Sequence, residues 1–198
     1  MATVVVPFRS SDPKRRLDGV GDAGRVALAH AMLADVLAAA TPVGAVLVVS
    51  TEPLALPPGV ARVTDPRRGQ GTAVAAALDH AAAAGLPAPY LVVNADLPCV
   101  GTRDLLALAG AIPAGGLALA AAADGTTNAV GLSDLRLFEP VYGPGSAERF
   151  AALGPSRTLD VPNLMDDVDT LDDLARLRDR LGANTRQALA ALDLPSAA

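Results

Sequence analysis

The sequence predicts an α/β fold in which a mostly parallel sheet carries helices on both faces. Short, continuous apolar runs recur along the chain, as strands buried on both faces require. Segments of about 10–15 residues with helical spacing separate these runs, the pattern of successive βαβ units. The 198 residues suffice for one domain, which at this size hides roughly 70% of the surface an unfolded chain exposes.

Val4 to Phe8 is the first buried strand. Residues 22–40 place Val26, Ala29, Leu33 and Val36/Leu37 at helical spacing, and Thr41-Pro42 ends that helix. Val43 to Val49 is a second buried strand and Val60 to Val63 a short third. An Ala-rich helix over 71–84 puts Val74, Leu78 and Ala81 on one face. Tyr90 to Val93 is the fourth strand; a helix near 102–111 follows, with Thr102 as its candidate cap. Leu117 to Ala123 and Ala129 to Leu132 read as two further strands, 146–153 as a helix, and Thr158 to Val161 as an edge strand. The acidic segment 166–173 leads into a helix with Leu174, Leu177 and Leu181 inward. The expected domain spans 1–183, with 184–198 a terminal helix and tail.

Composition narrows the function. Acidic residues outnumber basic ones, 21 to 16, for a net charge of −5, and the aromatics are three Phe and two Tyr. Nucleic-acid binders usually show a basic domain and stacking rings, so no nucleic-acid partner is expected. No uncharged apolar run reaches the ~20 residues of a membrane span, and no secretory signal pattern is visible. A single cysteine, Cys99, leaves no internal disulfide or cysteine-built metal site. The expectation is a cytoplasmic protein with a small anionic ligand and no membrane partner. The Ala-rich helices are compatible with a homodimer face, which the sequence does not locate.

Positive charge is concentrated in two short loops holding Arg9, Lys14, Arg15 and Arg16, and Arg67 and Arg68. Lys14 is the only lysine beside fifteen arginines. The loop after the first strand therefore reads as a phosphate grip, with the ammonium as a compact point charge. A solvated basic loop is the plainer alternative.

Ligands of open parallel sheets bind beyond the carboxyl ends of the strands, where strand order reverses. Residues just after strands should then carry the chemistry. Asn94-Ala-Asp96-Leu-Pro98 follows the fourth strand, and Asp96 suits a Mg²⁺ ligand or a turn residue. In Asp166-Asp167-Val-Asp169-Thr170, a capping box explains Thr170 and Asp173 but not the acids before them. Asp167 or Asp169 would join Asp96 around one divalent ion.

Tyr142-Gly-Pro-Gly145-Ser146 is a glycine turn opening a helix. Its N–H groups and the Ser146 hydroxyl suit an anion, and Ser146 also suits a plain cap. Asp124-Gly-Thr-Thr127-Asn128 is a hairpin connection or a source of donors for a carboxylate. In Asp65-Pro-Arg-Arg68-Gly69-Gln70-Gly71-Thr72, Gly69 and Gly71 let backbone approach a planar ligand, and Gln70 can read a base edge. His30 and His80 read as helix-surface residues and Cys99 as a small packing residue. No Ser-His-Asp arrangement or zinc spacing occurs.

Taken in order, these pieces resemble the 2-phospholactate/phosphoenolpyruvate guanylyltransferases that help make the deazaflavin redox coenzyme. These sit within the molybdopterin-guanylyltransferase-like nucleotidyltransferases. The resemblance covers about residues 3–181 and rests on five pieces. They are Val6-Pro-Phe with Lys14-Arg-Arg16-Leu17, Ala95-Asp96-Leu-Pro98, Thr127-Asn128-Ala, Tyr142-Gly-Pro-Gly-Ser146, and Asp167-Val-Asp169-Thr170 with Asp173-Leu174. It implies a single αβα three-layer domain with a Rossmann-like sheet of the nucleotide-diphospho-sugar transferase type. It also implies that Lys14 and Arg16 contact the triphosphate, and that Asp96 with Asp167 or Asp169 holds Mg²⁺. Pro7, Arg9, Gly69, Gln70 and Gly71 become the other expected nucleotide contacts. Thr127, Asn128, Gly143, Gly145 and Ser146 become the acceptor contacts.

Three departures from the family pattern stand out. Its Gly-Gly-Thr-Asn is Gly125-Thr-Thr127-Asn128, its Gly-Leu-Asn is Gly69-Gln-Gly71-Thr72, and a histidine four residues after the serine is Phe150. The implied reaction moves a guanylyl group from GTP to phosphoenolpyruvate, or to 2-phospho-L-lactate, and releases pyrophosphate. Two alternatives stay open: another acceptor such as molybdopterin, or a non-catalytic nucleotide-binding protein. Against the first, Phe8 to Gly19 lacks the Leu-Ala-Gly-Gly-x-Ser-x-Arg-Met-Gly loop of the pterin enzymes.

Overall fold

Val4, Val5 and Val6 are all fully buried because β1 (Ala2–Pro7) runs through the centre of the sheet. A computed structural model describes residues 1–9, 17 and 19–192. After β1 come α1 (Gly21–Ala40), β2 (Gly44–Ser50), β3 (Val60–Thr64), α2 (Gln70–Ala83), β4 (Tyr90–Val93) and α3 (Thr102–Ala111). Then follow β5 (Leu117–Ala121), β6 (Thr127–Leu132), α4 (Ser146–Ala151), β7 (Ser156–Thr158), α5 (Pro162–Met165), α6 (Leu171–Leu177) and α7 (Ala183–Ala191). The strands form one seven-stranded sheet in the order β3-β2-β1-β4-β6-β5-β7. β6 pairs antiparallel with both β4 and β5, while the other pairings are parallel. The fold is thus the expected α/β type with a mostly parallel sheet.

Alternation along the strands divides the core. Val4 and Val6 of β1 face α1 and α3, with Leu33, Leu37, Leu105 and Leu108 in the same cluster. Val5 faces the other way, towards Val74, Leu78 and Phe150 of α2 and α4. Two buried faces explain why these strands are apolar at every position. A third cluster of Leu17, Leu28, Met32, Cys99, Val168, Leu174, Leu177 and Leu181 holds α6 beside α1. Helix α1 is long and apolar enough to cross a membrane by length and composition, yet 56% of its apolar stretch is buried within the protein.

Helix ends differ from the sequence expectation at α3. Gly101 takes the cap position, and its N–H donates to Asp104 Oδ2 at 2.8 Å. Thr102 lies inside the helix, and its hydroxyl instead donates to the Ala39 carbonyl at 3.0 Å. The C-terminal α7 is anchored from α1: the buried Asp35 carboxylate accepts N–H bonds from Asn184 and Thr185, each 2.9 Å, satisfying donors at the helix start. The short α5 and a single 3₁₀ turn at Leu135–Leu137 carry no sequence signal long enough to predict.

The chain winds outward from β1 to β3, then crosses back to place β4 on the other side of β1. Strand order reverses between β1 and β4, so their carboxyl ends border the crevice where such sheets bind ligands.

Candidate functional site

Asp96 leaves the end of β4 half-buried, with one carboxylate oxygen shielded from solvent. The N–H of Val168 donates to the Asp96 carbonyl at 3.0 Å, which ties the 166–170 loop to this strand end. Val168 is fully buried in the third cluster. Its neighbours on both sides therefore project together, since alternate residues of extended chain share a face. The result is a cluster of Asp96, Asp167 and Asp169, one oxygen from each lying within 4.8 Å of the others. The acids thus converge across about 70 residues of sequence.

The capping box stands beside this cluster as expected: Thr170 Oγ1 accepts from the Asp173 N–H at 3.2 Å, and Asp173 Oδ2 accepts from the Thr170 N–H at 2.9 Å. Asp166 plays a different part from its two neighbours. Arg176 Nη1 donates to it at 2.8 Å, and Arg180 bonds its other oxygen. Burial works to raise its pKa, but the two guanidinium groups win and hold the carboxyl below the usual range. Arg180 also donates to Asn163 Oδ1 at 3.0 Å, and Asn163 to Asp104 Oδ2 at 3.0 Å, so the turn after α6 is fastened to the cap of α3.

Asn94, two residues before Asp96, is the hub of the polar network. Its Oδ1 accepts from Gln70 Nε2 at 2.8 Å, and its Nδ2 donates to the Thr127 carbonyl at 3.3 Å. Asn128 is buried and donates to the Met165 carbonyl at 2.9 Å. Thr127 and Ser146 are both buried: the Thr127 N–H donates to Ser146 Oγ at 2.9 Å, and the two hydroxyls lie 3.0 Å apart. Gly145, in the left-handed region at φ 70°, takes the cap position that the sequence offers to Ser146. Gly143 is also left-handed, at φ 106°. Beneath this turn, Phe150 is fully buried and meets the Tyr142 ring edge-on at 5.1 Å.

On the other flank, Arg9 follows β1 and reaches past β2 to Asp65 after β3, with Nε to Oδ2 at 2.8 Å. Asp65 also accepts from the Arg67 N–H at 2.7 Å. Burial pushes against its charge, but Arg9 and that N–H keep its pKa below the ordinary value. Arg67 is held at φ 62°, unusual for a residue with a side chain. Arg9, Thr51, Glu52 and Arg67 line an open cavity of about 280 Å³. Gly69, at φ 97°, has open space where a Cβ would stand, whereas Gly71 is met by Pro140. Pro7 closes β1 opposite Val49. Lys14 and Arg16 lie outside the described residues.

Sequence reasoning did not single out Asn94 itself, Thr51, Glu52 or Arg149 as site residues. Only Asn94 carried a signal, its place directly after a buried strand.

Residues 23–192 match the family described as the MobA-like NTP transferase domain. The chain is 38% identical over 198 residues to phosphoenolpyruvate guanylyltransferase of Roseiflexus sp. (strain RS-1), covering 91% of this chain and 86% of that one. It is 38% identical over 212 residues to the protein of the same name from Streptomyces scabiei (strain 87.22), covering 98% of each. Its fold resembles 2-C-methyl-D-erythritol 4-phosphate cytidylyltransferase of Thermus thermophilus, with a TM-score of 0.60, 17% identity, and 95% and 98% of the two chains covered.

Proposed function

Because the chain belongs to the family of MobA-like NTP transferase domains, we propose that it transfers a guanylyl group from GTP to the phosphate of phosphoenolpyruvate and releases pyrophosphate. The name shared by the relatives from Roseiflexus and Streptomyces supports this acceptor; 2-phospho-L-lactate is the second choice. The observation that carries the reading is the convergence of Asp96, Asp167 and Asp169 at the strand ends. Three carboxylates offer only hard oxygen donors, a set that suits Mg²⁺ and leaves room for substrate phosphates. When bound, the ion neutralises phosphate charge and helps fix the geometry of displacement.

The acceptor phosphate is already anionic at neutral pH, so one of its oxygens attacks the α-phosphorus of GTP without a general base. The new P–O bond forms as the α–β bridging bond breaks, and pyrophosphate leaves with that electron pair. The chain's contribution is alignment and charge neutralisation. Lys14, Arg16 and Arg9 supply the positive charge that offsets the leaving pyrophosphate and the nucleotide phosphates. Pro7, Gly69 and Gln70 border the nucleotide, while Gly71 makes room for Pro140. The Gly143–Gly145 turn takes the acceptor's anionic groups on its N–H groups; the buried Thr127 and Ser146 tie that turn to the start of β6, and Asn128 beside them is fixed by the Met165 carbonyl.

Incubation with GTP, Mg²⁺ and each acceptor in turn, followed by a pyrophosphate assay, tests the reading. Release with a phospho-acid is expected. Release only with a pterin acceptor, or none with either, overturns it. Asp96→Ala should cut turnover far more than it weakens acceptor binding.

A further inference from the structure

Arg149 lies on the exposed side of α4, three residues after Ser146. Its guanidinium donates to four consecutive backbone carbonyls. Val141 receives Nη2 at 2.9 Å and Nε at 3.2 Å, and Pro144 receives Nη1 at 2.7 Å. Tyr142 and Gly143 receive Nη2 at 3.3 and 3.4 Å. No acidic partner takes part in this set, so the whole guanidinium fork is spent on one loop.

Within a trans peptide, the carbonyl of one residue and the N–H of the next point in opposite directions. Carbonyls drawn to Arg149 therefore send the N–H groups of Tyr142, Gly143 and Gly145 to the far side of the turn. Pro144 has none. Among the described residues, no backbone acceptor takes the N–H of Gly143 or Gly145. Both glycines sit in the left-handed region, and a Cβ on Gly145 would come 3.4 Å from Arg149 Nη1. An exposed guanidinium adds little to stability through charge alone. What it does here is fix N–H groups for which the fold itself has no use.

From this geometry, and resting on the guanylyl-transfer reading, we infer that Arg149 is the positioning residue of the acceptor subsite. It orders the Gly143–Gly145 amides that receive the anion of the phospho-acid, without touching that anion. The role depends on fork geometry and not on charge. A lysine, with one ammonium on a flexible stem, cannot span four carbonyls.

The test compares wild type, Arg149→Ala and Arg149→Lys in the pyrophosphate assay, varying each substrate separately. Both variants should raise KM for phosphoenolpyruvate about tenfold while kcat and KM for GTP stay within about twofold. Full rescue by lysine would make the effect one of charge and overturn the inference. So would an unchanged acceptor KM, or parallel losses in kcat and both KM values with a lowered Tm. A second measurement is independent of turnover and of either variant. In N–H correlation NMR of the wild type, phosphoenolpyruvate should move the Gly143 and Gly145 amide signals, and unmoved signals overturn the inference. If wild type releases no pyrophosphate with any acceptor, the transferase reading falls, while the amide response still decides whether this turn takes the anion.

Discussion

Replacing Gly71 by alanine puts a methyl carbon 2.6 Å from Pro140 Cβ, 2.9 Å from its Cα and 3.0 Å from its carbonyl oxygen. Two of those three atoms are backbone, so no side-chain rotation relieves the clash. Overpacking of this kind costs about 1–3 kcal/mol. Alanine gains back about 1 kcal/mol over glycine inside a helix, leaving a net loss near 1 kcal/mol. For a domain of this size that lowers Tm by about 2–4 °C. The displacement has a direction, because Pro140 leads through Val141 and Tyr142 into the Gly143–Gly145 turn. The variant should therefore raise KM for the acceptor more than KM for GTP. Thermal melting and steady-state kinetics with each substrate varied would show it. A raised Tm with a normal acceptor KM and a weakened GTP KM refutes this reasoning, and would assign Gly71 to the nucleotide.

Three further outcomes follow from the structure. Mg²⁺ or Mn²⁺ at about 100 times its Kd should add about 2.7 kcal/mol of stability, a Tm rise of roughly 5–10 °C. Asp96→Asn, Asp167→Asn and Asp169→Asn should each abolish most of that rise; a full rise in all three would exclude a shared ion. Asp35→Ala removes an acceptor for two N–H groups at the start of α7. It should cost about 2–3 kcal/mol and lower Tm by about 5–10 °C with little change in turnover at low temperature; an unaltered melt contradicts the anchoring role. Asp65, Asp166 and Asp173 have folded pKa values below the ordinary 3.8, so below about pH 4 the unfolded chain takes up protons first and stability falls with pH. Asp65→Asn should be less stable at pH 7 and show a shallower loss below pH 4; an acid limb as steep as wild type would rule out the Arg9–Asp65 contribution.

The sheet was legible wherever burial on two faces forced an unbroken apolar run, and β4 and α3 fall at the expected residues. Boundaries moved where a backbone bond outlasts the apolar pattern, as at β6, which begins at Thr127 and not Ala129. The acid triad could be anticipated because one member follows a strand and the others exceed what a capping box needs. Its convergence was likewise expected from the chemistry, but the bond that enforces it, from the Val168 N–H to the Asp96 carbonyl, has no signature in sequence. Gly-x-Gly has one signature for two causes: Gly69 stands open, while the hydrogen of Gly71 makes room for Pro140. Arg9 and Asp65 were both visible at strand ends, but their pairing spans β2 and 56 positions of sequence. Arg149 left no trace, because an arginine that bonds carbonyls needs no partner residue type.

The polar network explains how so small a set of groups stays aligned. Asn94 is satisfied from both sides, by Gln70 on its oxygen and by the Thr127 carbonyl on its amide. A half-buried amide with its donors and acceptor engaged has one orientation. It therefore links the start of α2 to the start of β6, two residues from Asp96. On the proposed reading both substrates are anions, and a cluster of carboxylates repels them both. A cation held by Asp96, Asp167 and Asp169 would offset that repulsion as well as assist displacement. Arg176 and Arg180 cannot substitute for it, because both are already committed to Asp166. On the proposed reading, charge balance at the reacting phosphates falls to the ion with Lys14, Arg16 and Arg9, while Arg176 and Arg180 serve to hold the 166–170 loop.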